Sequence, residues 1–420
     1  MVGQVSWADL PMEMLSSIAK RLDDRQDVLH FRAVCSSWRK TVPLPKKSFL
    51  FSMKLPCDTE ELSNPYASFI LSESKVFRLE IDAADGSGRR SWLVKVREQG
   101  DDGTLCFVNP FSMYPLKKFP DSLPKLLDTR NFRISEVTKV FSTERIVEQI
   151  NDKESNDTEY EDVGCIYKAE ICTNFRRKPY IAMVKKGELW YMKGGTGYWC
   201  LLDEEVEFRD IINFNDTFYT IDIYGVVSGY NQGSMGLIEV YPRPSRQICE
   251  GERYLVESCG ELFTVHWEFG ECIGKVHYDD DMDCFYKEEG VTEIPVKFRV
   301  FRGYQNDLGF EERWREIRHL GDRVFFVSHD CSFSFSARDF PGCRGNCIIF
   351  VDEIEEPFAE DYNGNDDEEN EDPEELKNGK VGLFFMEDGR HASIKDFPEY
   401  LKIFWPPPSW LRSNPSPSGH

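Results

Sequence analysis

The 420-residue chain has no stretch approaching the roughly 18–20 consecutive apolar residues of a membrane-spanning helix. Its start, MVGQVSWADL, lacks the basic segment and apolar run of a secretory signal, so a cytosolic or nuclear protein without a membrane partner is expected. Basic charge is also scarce: 51 Lys and Arg stand against 74 Asp and Glu, a formal net charge of −23. Nonspecific attraction to nucleic acid depends on clustered cations, so no nucleic-acid partner is expected either. Catalytic signatures are missing. There is no His-Glu-x-x-His and no Gly-x-Ser-x-Gly, and Lys193-Gly-Gly-Thr-Gly197 has the glycines of a phosphate loop but not their order. No catalytic residue and no cofactor is assigned.

The 13 cysteines are odd in number and irregular in spacing, and a reducing compartment keeps them as free thiols. Cys331, Cys343 and Cys347 do not make a tetrahedral zinc set, and His266, His277, His319 and His329 stand alone, so no metal is expected. The acidic excess is concentrated. Asp352 to Glu375 holds 14 acidic residues and no basic one, which leaves the rest of the chain mildly acidic. Within that run Asp361, Asn363 and Asn365 have the spacing of the first ligands of an EF-hand loop. Asp366 stands where that loop needs glycine and Asp372 where it needs a bidentate glutamate, so a solvated insertion is expected over 352–376.

What the chain does have falls into two parts. From Leu10-Pro11 onward, Met14, Leu15, Ile18, Ala19 and Leu22 are apolar at helical spacing, and Pro11 suits a first helical turn. Asp27 can cap a second helix through Val28, Leu29, Phe31, Arg32 and Val34, and Ser36-Ser37 a third at Trp38-Arg39-Lys40. Three short helices in about 35 residues have too little core to stand alone. They also carry more apolar residues than they can bury among themselves, so some should face another protein.

Trp7-Ala-Asp-Leu10-Pro11, the helix with Leu15 and Ile18, and Phe31-Arg-Ala-Val-Cys-Ser-Ser-Trp38-Arg39 together resemble the F-box, the docking module of substrate receptors in SCF-type cullin ubiquitin ligases. That resemblance implies that Trp7, Leu10, Pro11, Leu15 and Ile18 meet a Skp-type adaptor and, through it, a cullin. Val34, Cys35 and Trp38 would close the module and extend the contact.

From Ser68 the period changes to that of strands. Short runs rich in aromatic and β-branched residues recur: Phe77–Ile81, Trp92–Val96, Leu105–Val108, Tyr180–Val184, Leu189–Met192, Phe218–Ile221 and Val324–Val327. A faint repeat, in which a Trp or Tyr strand, a polar turn and a hydrophobic strand follow one another, has turns at Asn215-Asp216, Gly260 and Gly321. Its spacing is near that of β-propeller blades, and ~340 residues would make about six or seven of them. A pair of β-sandwiches is the structural alternative. Phe340-Pro-Gly-Cys-Arg-Gly-Asn-Cys-Ile-Ile-Phe-Val-Asp352 and Ile403-Phe-Trp-Pro-Pro-Pro-Ser-Trp410 are similar to late segments of the kelch-like second domain of plant F-box proteins.

The expected architecture is α+β and multidomain: a three-helix F-box over 5–45, a linker over 46–67, a large all-β propeller over 68–410 and a disordered tail over 411–420. The expected function is substrate recognition for an SCF-type ligase. The β-domain would hold an unknown protein target, and the chain itself would do no chemistry. The alternative is a β-domain that serves as a binding scaffold outside a ligase, or as an enzyme.

Overall fold

The computed structural model describes residues 10–19, 21, 28, 31–42, 67–82, 89–99, 104–111, 116, 132–147, 168–172, 180–185, 187–193, 198–203, 205–242, 249–272, 276–279, 284–287, 297–304, 314–352 and 380–411. The acidic run beyond Asp352 and the segment 46–66 lie outside them. Helix α1 (Met12–Ala19), a helical turn at 31–33 and α2 (Ser36–Thr41) form the first unit. Among the described residues, those from Ala67 onward are built on strands, with short helices after Ser336.

The first strands are β1 (Ala67–Asp82), β2 (Arg89–Gln99), β3 (Thr104–Val108) and β4 (Arg133–Val147), hydrogen-bonded in the order β3-β2-β1-β4. A second group, β5 (Lys168–Cys172), β6 (Tyr180–Lys185), β7 (Glu188–Lys193) and β8 (Cys200–Leu201), is a sequential antiparallel meander. The two groups meet at one bridge, Phe141 opposite Ala169. The third group is another meander of β9 (Phe208–Phe214), β10 (Thr217–Asp222), β11 (Val227–Asn231) and β12 (Leu237–Tyr241).

The fourth group comprises β13 (Cys249–Ser258), β14 (Glu261–Cys272), β17 (Lys297–Gly303) and β18 (Trp314–Ile317), with the hairpin β15 (Val276–Asp279) and β16 (Cys284–Lys287) in between. The last group has β19 (Arg323–Val327), β20 (Ser332–Ser336), β21 (Cys347–Asp352), β22 (Lys380–Phe385) and β23 (His391–Ser393) in the order β20-β19-β21-β22-β23. Here β19 and β21 run parallel, because a 3₁₀ turn at Ala337–Asp339 carries the chain across the sheet. The described residues thus hold five blade-sized units, and the end strands β4, β5, β9, β13 and β20 line one central cavity. This is the arrangement of a β-propeller.

The turns follow from local chemistry. Asn215 and Asp216 both take positive φ, 47° and 58°, and join β9 to β10 as a two-residue hairpin whose twist suits antiparallel strands. Cys259 and Gly260, at 55° and 77°, do the same between β13 and β14.

Apolar packing closes the ring between last and first units. Phe326, Phe333 and Ile349 share a core with Val76, Leu93 and Val140. Ile403 and Phe404 join that core, and the backbone N–H of Leu93 donates to Ile403 O at 2.8 Å while Trp92 Nε1 donates to Phe404 O at 2.8 Å. Arg78 reaches Asp339 at 2.5 Å across the same seam. The boundaries shift slightly from those read in the sequence. Ala67 already belongs to β1, Asp352 is the last residue of β21, and Leu411 is buried against Trp92 rather than part of a tail.

Candidate functional site

Two places gather candidate side chains, and the first is the helical module. Leu15, Phe31 and Trp38 are its core, with the Phe31 and Trp38 ring centroids 4.4 Å apart. Leu10, Ile18, Ala19, Cys35 and Val42 pack partly against them. Pro11 O accepts from Leu15 N at 3.1 Å and so opens α1. Arg32 and Arg39 clasp each other's backbone: Arg32 Nη1 donates to Arg39 O at 3.1 Å and Arg39 Nε to Arg32 O at 3.3 Å. Cys35 precedes α2 without capping it through its side chain. Its thiol sits 3.0 Å from Ser37 Oγ, and that hydrogen bond draws its pKa down.

The sequence-predicted contact residues therefore divide. Leu15, at 1% exposure, and Trp38, at 9%, are turned into the module. Leu10, Ile18 and Cys35 are half-buried, Pro11 and Val34 are exposed, and Trp7 lies outside the described residues. Two further apolar side chains of α1 are exposed, Met12 at 63%, which the spacing does not single out, and Met14 at 54%. Met14 was read as part of the apolar face, but helical spacing alone does not say which flank of that face the module covers.

The second place is the central cavity, of about 340 Å³. Polar side chains from several units converge on it. Lys168 Nζ from β5 lies 2.6 Å from Asp210 Oδ1 of β9. Asp210 also accepts the backbone N–H of Ile211 at 2.7 Å and of Leu255, on β13, at 2.7 Å. One carboxylate thus ties three neighbouring units. At the seam between first and last units, Asp330 pairs with buried Lys95 of β2 and accepts from Ser328 Oγ at 2.5 Å.

The three cysteines weighed as zinc ligands are engaged in packing instead. Cys343 Sγ donates to Glu399 O at 3.3 Å and Cys347 Sγ to Arg344 O at 3.5 Å, and burial pushes all three thiols, Cys331 included, up to about 12. His266 is buried on β14, whereas His319 Nδ1 lies 3.1 Å from Asn346 Nδ2 and His329 lies edge-on to Tyr254. None of the cavity's ion pairs was found from sequence. The signal available was a charge inside an apolar run, as at Lys95 in WLVKV or Asp210 in FRDIINF, since charged side chains are almost never fully buried unless paired.

Comparison with known proteins matches both parts. Residues 68–384 match the model of the KIB1-4 beta-propeller and residues 7–43 the F-box-like model. The chain is 27% identical to the F-box protein SKIP23 of Arabidopsis thaliana, over 99% of this chain and 98% of that protein. It is 27% identical to the F-box protein At2g17036 of the same plant, over 98% of this chain and 96% of that one. Among solved structures, a glutaminyl cyclase from Myxococcus xanthus aligns with 42% of this chain and 61% of its own at 12% identity, with a TM-score of 0.20 that carries no argument. On the propeller match across 68–384, the chain belongs to the KIB1-4 beta-propeller family, and it carries an F-box-like module ahead of that domain.

Proposed function

We propose that the chain is the substrate-recognition subunit of an SCF-type cullin ubiquitin ligase, acting in the cytosol or nucleus. The observation that carries this reading is the helical module's surface: Met12, Met14 and Val34 are each more than half exposed around a core that, among the described residues, is formed by Leu15, Phe31 and Trp38. Exposed apolar groups beside a minimal core are the anchors of a helix-face interface, and a Skp-type adaptor is the partner that the F-box-like match supports. Leu10 and Pro11 stand at the mouth of α1, where they extend that face. Leu15 and Trp38 serve it indirectly by fixing the helices beneath. The propeller holds the target, and the chain contributes proximity rather than bond-making, raising the concentration of target lysines near the conjugating enzyme.

Co-purification of the full chain with a Skp-type adaptor tests this. Wild type is expected to recover the adaptor and Leu10→Ala/Pro11→Ala to recover far less. Equal recovery by both, or by neither, would remove the foundation of the reading.

A further inference from the structure

Most of the charge around the central cavity is already matched. Asp330 is paired with Lys95, Lys168 with Asp210 and Glu73 with Lys75. Among the described residues Glu257, which is exposed, and Glu170 are the exceptions, and Glu170 is the more enclosed of the two. It sits on β5 two residues beyond Lys168, so both side chains project from the same face of the strand, and it lines the cavity. Among the described residues no lysine or arginine forms an ion pair with it, because the one nearby ammonium, Lys168, is held 2.6 Å from Asp210. Burial pushes its carboxyl up to about 8, with Lys168 drawing it down and Asp210 raising it further. At neutral pH the wall of the cavity thus presents an acid that still holds its proton.

A second polar group in the wall is idle. Ser332, at 9% exposure, lines the cavity, and its Oγ, enclosed by protein, has no hydrogen-bond partner, so rotation of this short side chain brings it to a ligand in the cavity. Such a group costs stability unless something completes it. Phe141 and Phe333, both buried, add apolar surface to the same wall.

We propose that the central cavity is a binding site for one organic cation, a primary ammonium or guanidinium head on a short aliphatic stem. Glu170 is its counter-ion, and Ser332 Oγ accepts one of its N–H groups. The chemistry of the wall selects this class. The acids lining the cavity, Glu73, Glu170, Glu257 and Asp330, outnumber its lysines, Lys139 and Lys168, and both lysines are already paired, with Glu136 and Asp210, so an anion would meet more repulsion than attraction. An apolar molecule would leave Glu170 and Ser332 as they are and gain nothing from either. A cation beside Glu170 supplies the charge its half-buried carboxylate lacks, in surroundings where the attraction is less screened than in bulk water. The volume of about 340 Å³ is near the lower end of the ~300–1,000 Å³ of ligand sites, enough for a head group and stem.

Binding is coupled to a proton. The Glu170 O–H gives its proton to solvent and becomes the carboxylate that pairs with the ligand, whose own charge is unchanged. The same cation can arrive as a free amine or as a lysine or arginine side chain of a bound protein. Neither route involves the adaptor, so failure of this proposal and failure of the ligase reading would be told apart.

The test is calorimetric titration of the full chain with n-butylammonium and n-butylguanidinium, in two buffers of different ionisation enthalpy. Both should bind, releasing about one proton per cation at pH 7 and almost none at pH 9.5, above the Glu170 value. Glu170→Gln should lose affinity at least ~10-fold together with the proton release, and Ser332→Ala about 3- to 10-fold with proton release intact. A capped lysine pentapeptide that competes with n-butylammonium assigns the cation to a protein side chain, and one that does not assigns it to a free amine. The proposal falls if neither cation binds, if neutral n-butanol binds as well as they do, if Glu170→Gln keeps its affinity, or if no proton is released at pH 7. Should Glu170→Gln fail to fold, proton release by the wild type and the Ser332→Ala affinity decide.

Discussion

Lys95 Nζ and Asp330 Oδ2 form a salt bridge between the first propeller unit and the last, with the two side chains only 2% and 4% exposed. Residues 235 positions apart in sequence are thereby locked at the seam where the ring closes. Burial alone would raise the Asp330 carboxyl, but the Lys95 ammonium and hydrogen bonds from Lys95 and Ser328 hold it below the usual carboxylate range. Burial opposes the charge on Lys95, and Asp330 more than offsets it, so the lysine is raised.

Lys95→Met should therefore cost about 3–5 kcal/mol at pH 7, because it strands a buried carboxylate. The double variant Lys95→Met/Asp330→Leu should recover most of that loss. The pH window follows from the two directions. Asp330, lowered in the fold, contributes above its unfolded value near ~3.9 and loses that contribution as pH falls through its folded value. Lys95, raised in the fold, contributes below ~10.4 and loses that contribution as pH rises through its folded value. Urea midpoints should thus show the smallest deficit of Lys95→Met at about pH 2.5 and a growing one as pH rises above about 4, because the Asp330 carboxyl, which burial raises once Lys95 is gone, must then ionise. A single variant within ~1 kcal/mol of wild type at pH 7 would show that the pair is not holding the seam.

Gly382 on β22 lies directly opposite Phe350 on β21, and a Cβ placed there would collide with the phenyl ring. The ring has nowhere to move, since the Trp267 and Phe298 rings each pack 4.9 Å from it, centroid to centroid. Gly382→Ala should lower stability by about 1–3 kcal/mol, and Phe350→Leu in the same chain should return part of it. A thermal transition unmoved by Gly382→Ala would mean that the two strands separate more easily than this packing allows.

The sequence announces strands better than it announces neighbours. All seven aromatic and β-branched runs lie within strands, and the Asn215-Asp216 and Cys259-Gly260 turns are real hairpins, because alternation and positive-φ chemistry are local properties. The faint repeat is less faithful. The aromatics that lead into the first and last of its turns, Trp199 and Trp314, belong with the last strands of their units, while Asn215 and Gly321 belong to the units that follow, so the repeat spans the joints between blades as well as the blades. Ring closure was illegible for a different reason. A buried lysine in an apolar run says that a partner exists, but nothing near Lys95 points to Asp330. In the helical module, spacing put Met14 and Leu15 on one face and could not say that Leu15 is covered while Met14 is exposed.

His266 is buried on β14 between Arg253 of β13 and Arg299 of β17, with Glu268 on its own strand. Its Nε2 has no hydrogen-bond partner, and burial, reinforced by the two arginines, drives its pKa well below the ordinary value. Between that lowered value and the unfolded ~6.5, the unfolded chain binds one proton more than the folded one, so stability should rise with pH by about 1.4 kcal/mol per unit. Glu170, raised in the fold, works in the opposite sense over the overlapping range from ~4.3 to about 8, so the informative quantity is a difference between chains. The stability of wild type minus that of His266→Gln should climb from pH 5 to about 6.5 and be flat above ~7.5. A difference independent of pH would mean that the imidazole binds its proton as readily in the fold as in the unfolded chain.

The helical module offers the sharpest separation between holding a surface and being one. Trp38→Ala removes half of the Phe31–Trp38 pair from the small core it shares with Leu15 and should cost about 3–5 kcal/mol, enough to unfold α1. Met14→Glu changes a side chain that is 54% exposed and should leave α1 as it was. Both should weaken adaptor capture, Met14→Glu by at least ~10-fold if Met14 is an interface anchor. Amide exchange distinguishes the two causes: protection at Leu15, whose N–H donates to Pro11 O, should vanish in Trp38→Ala and persist in Met14→Glu. If Met14→Glu captures the adaptor as well as wild type does, the exposed methionines are not the docking face, and the contact must run through the half-buried Leu10 and Ile18 instead.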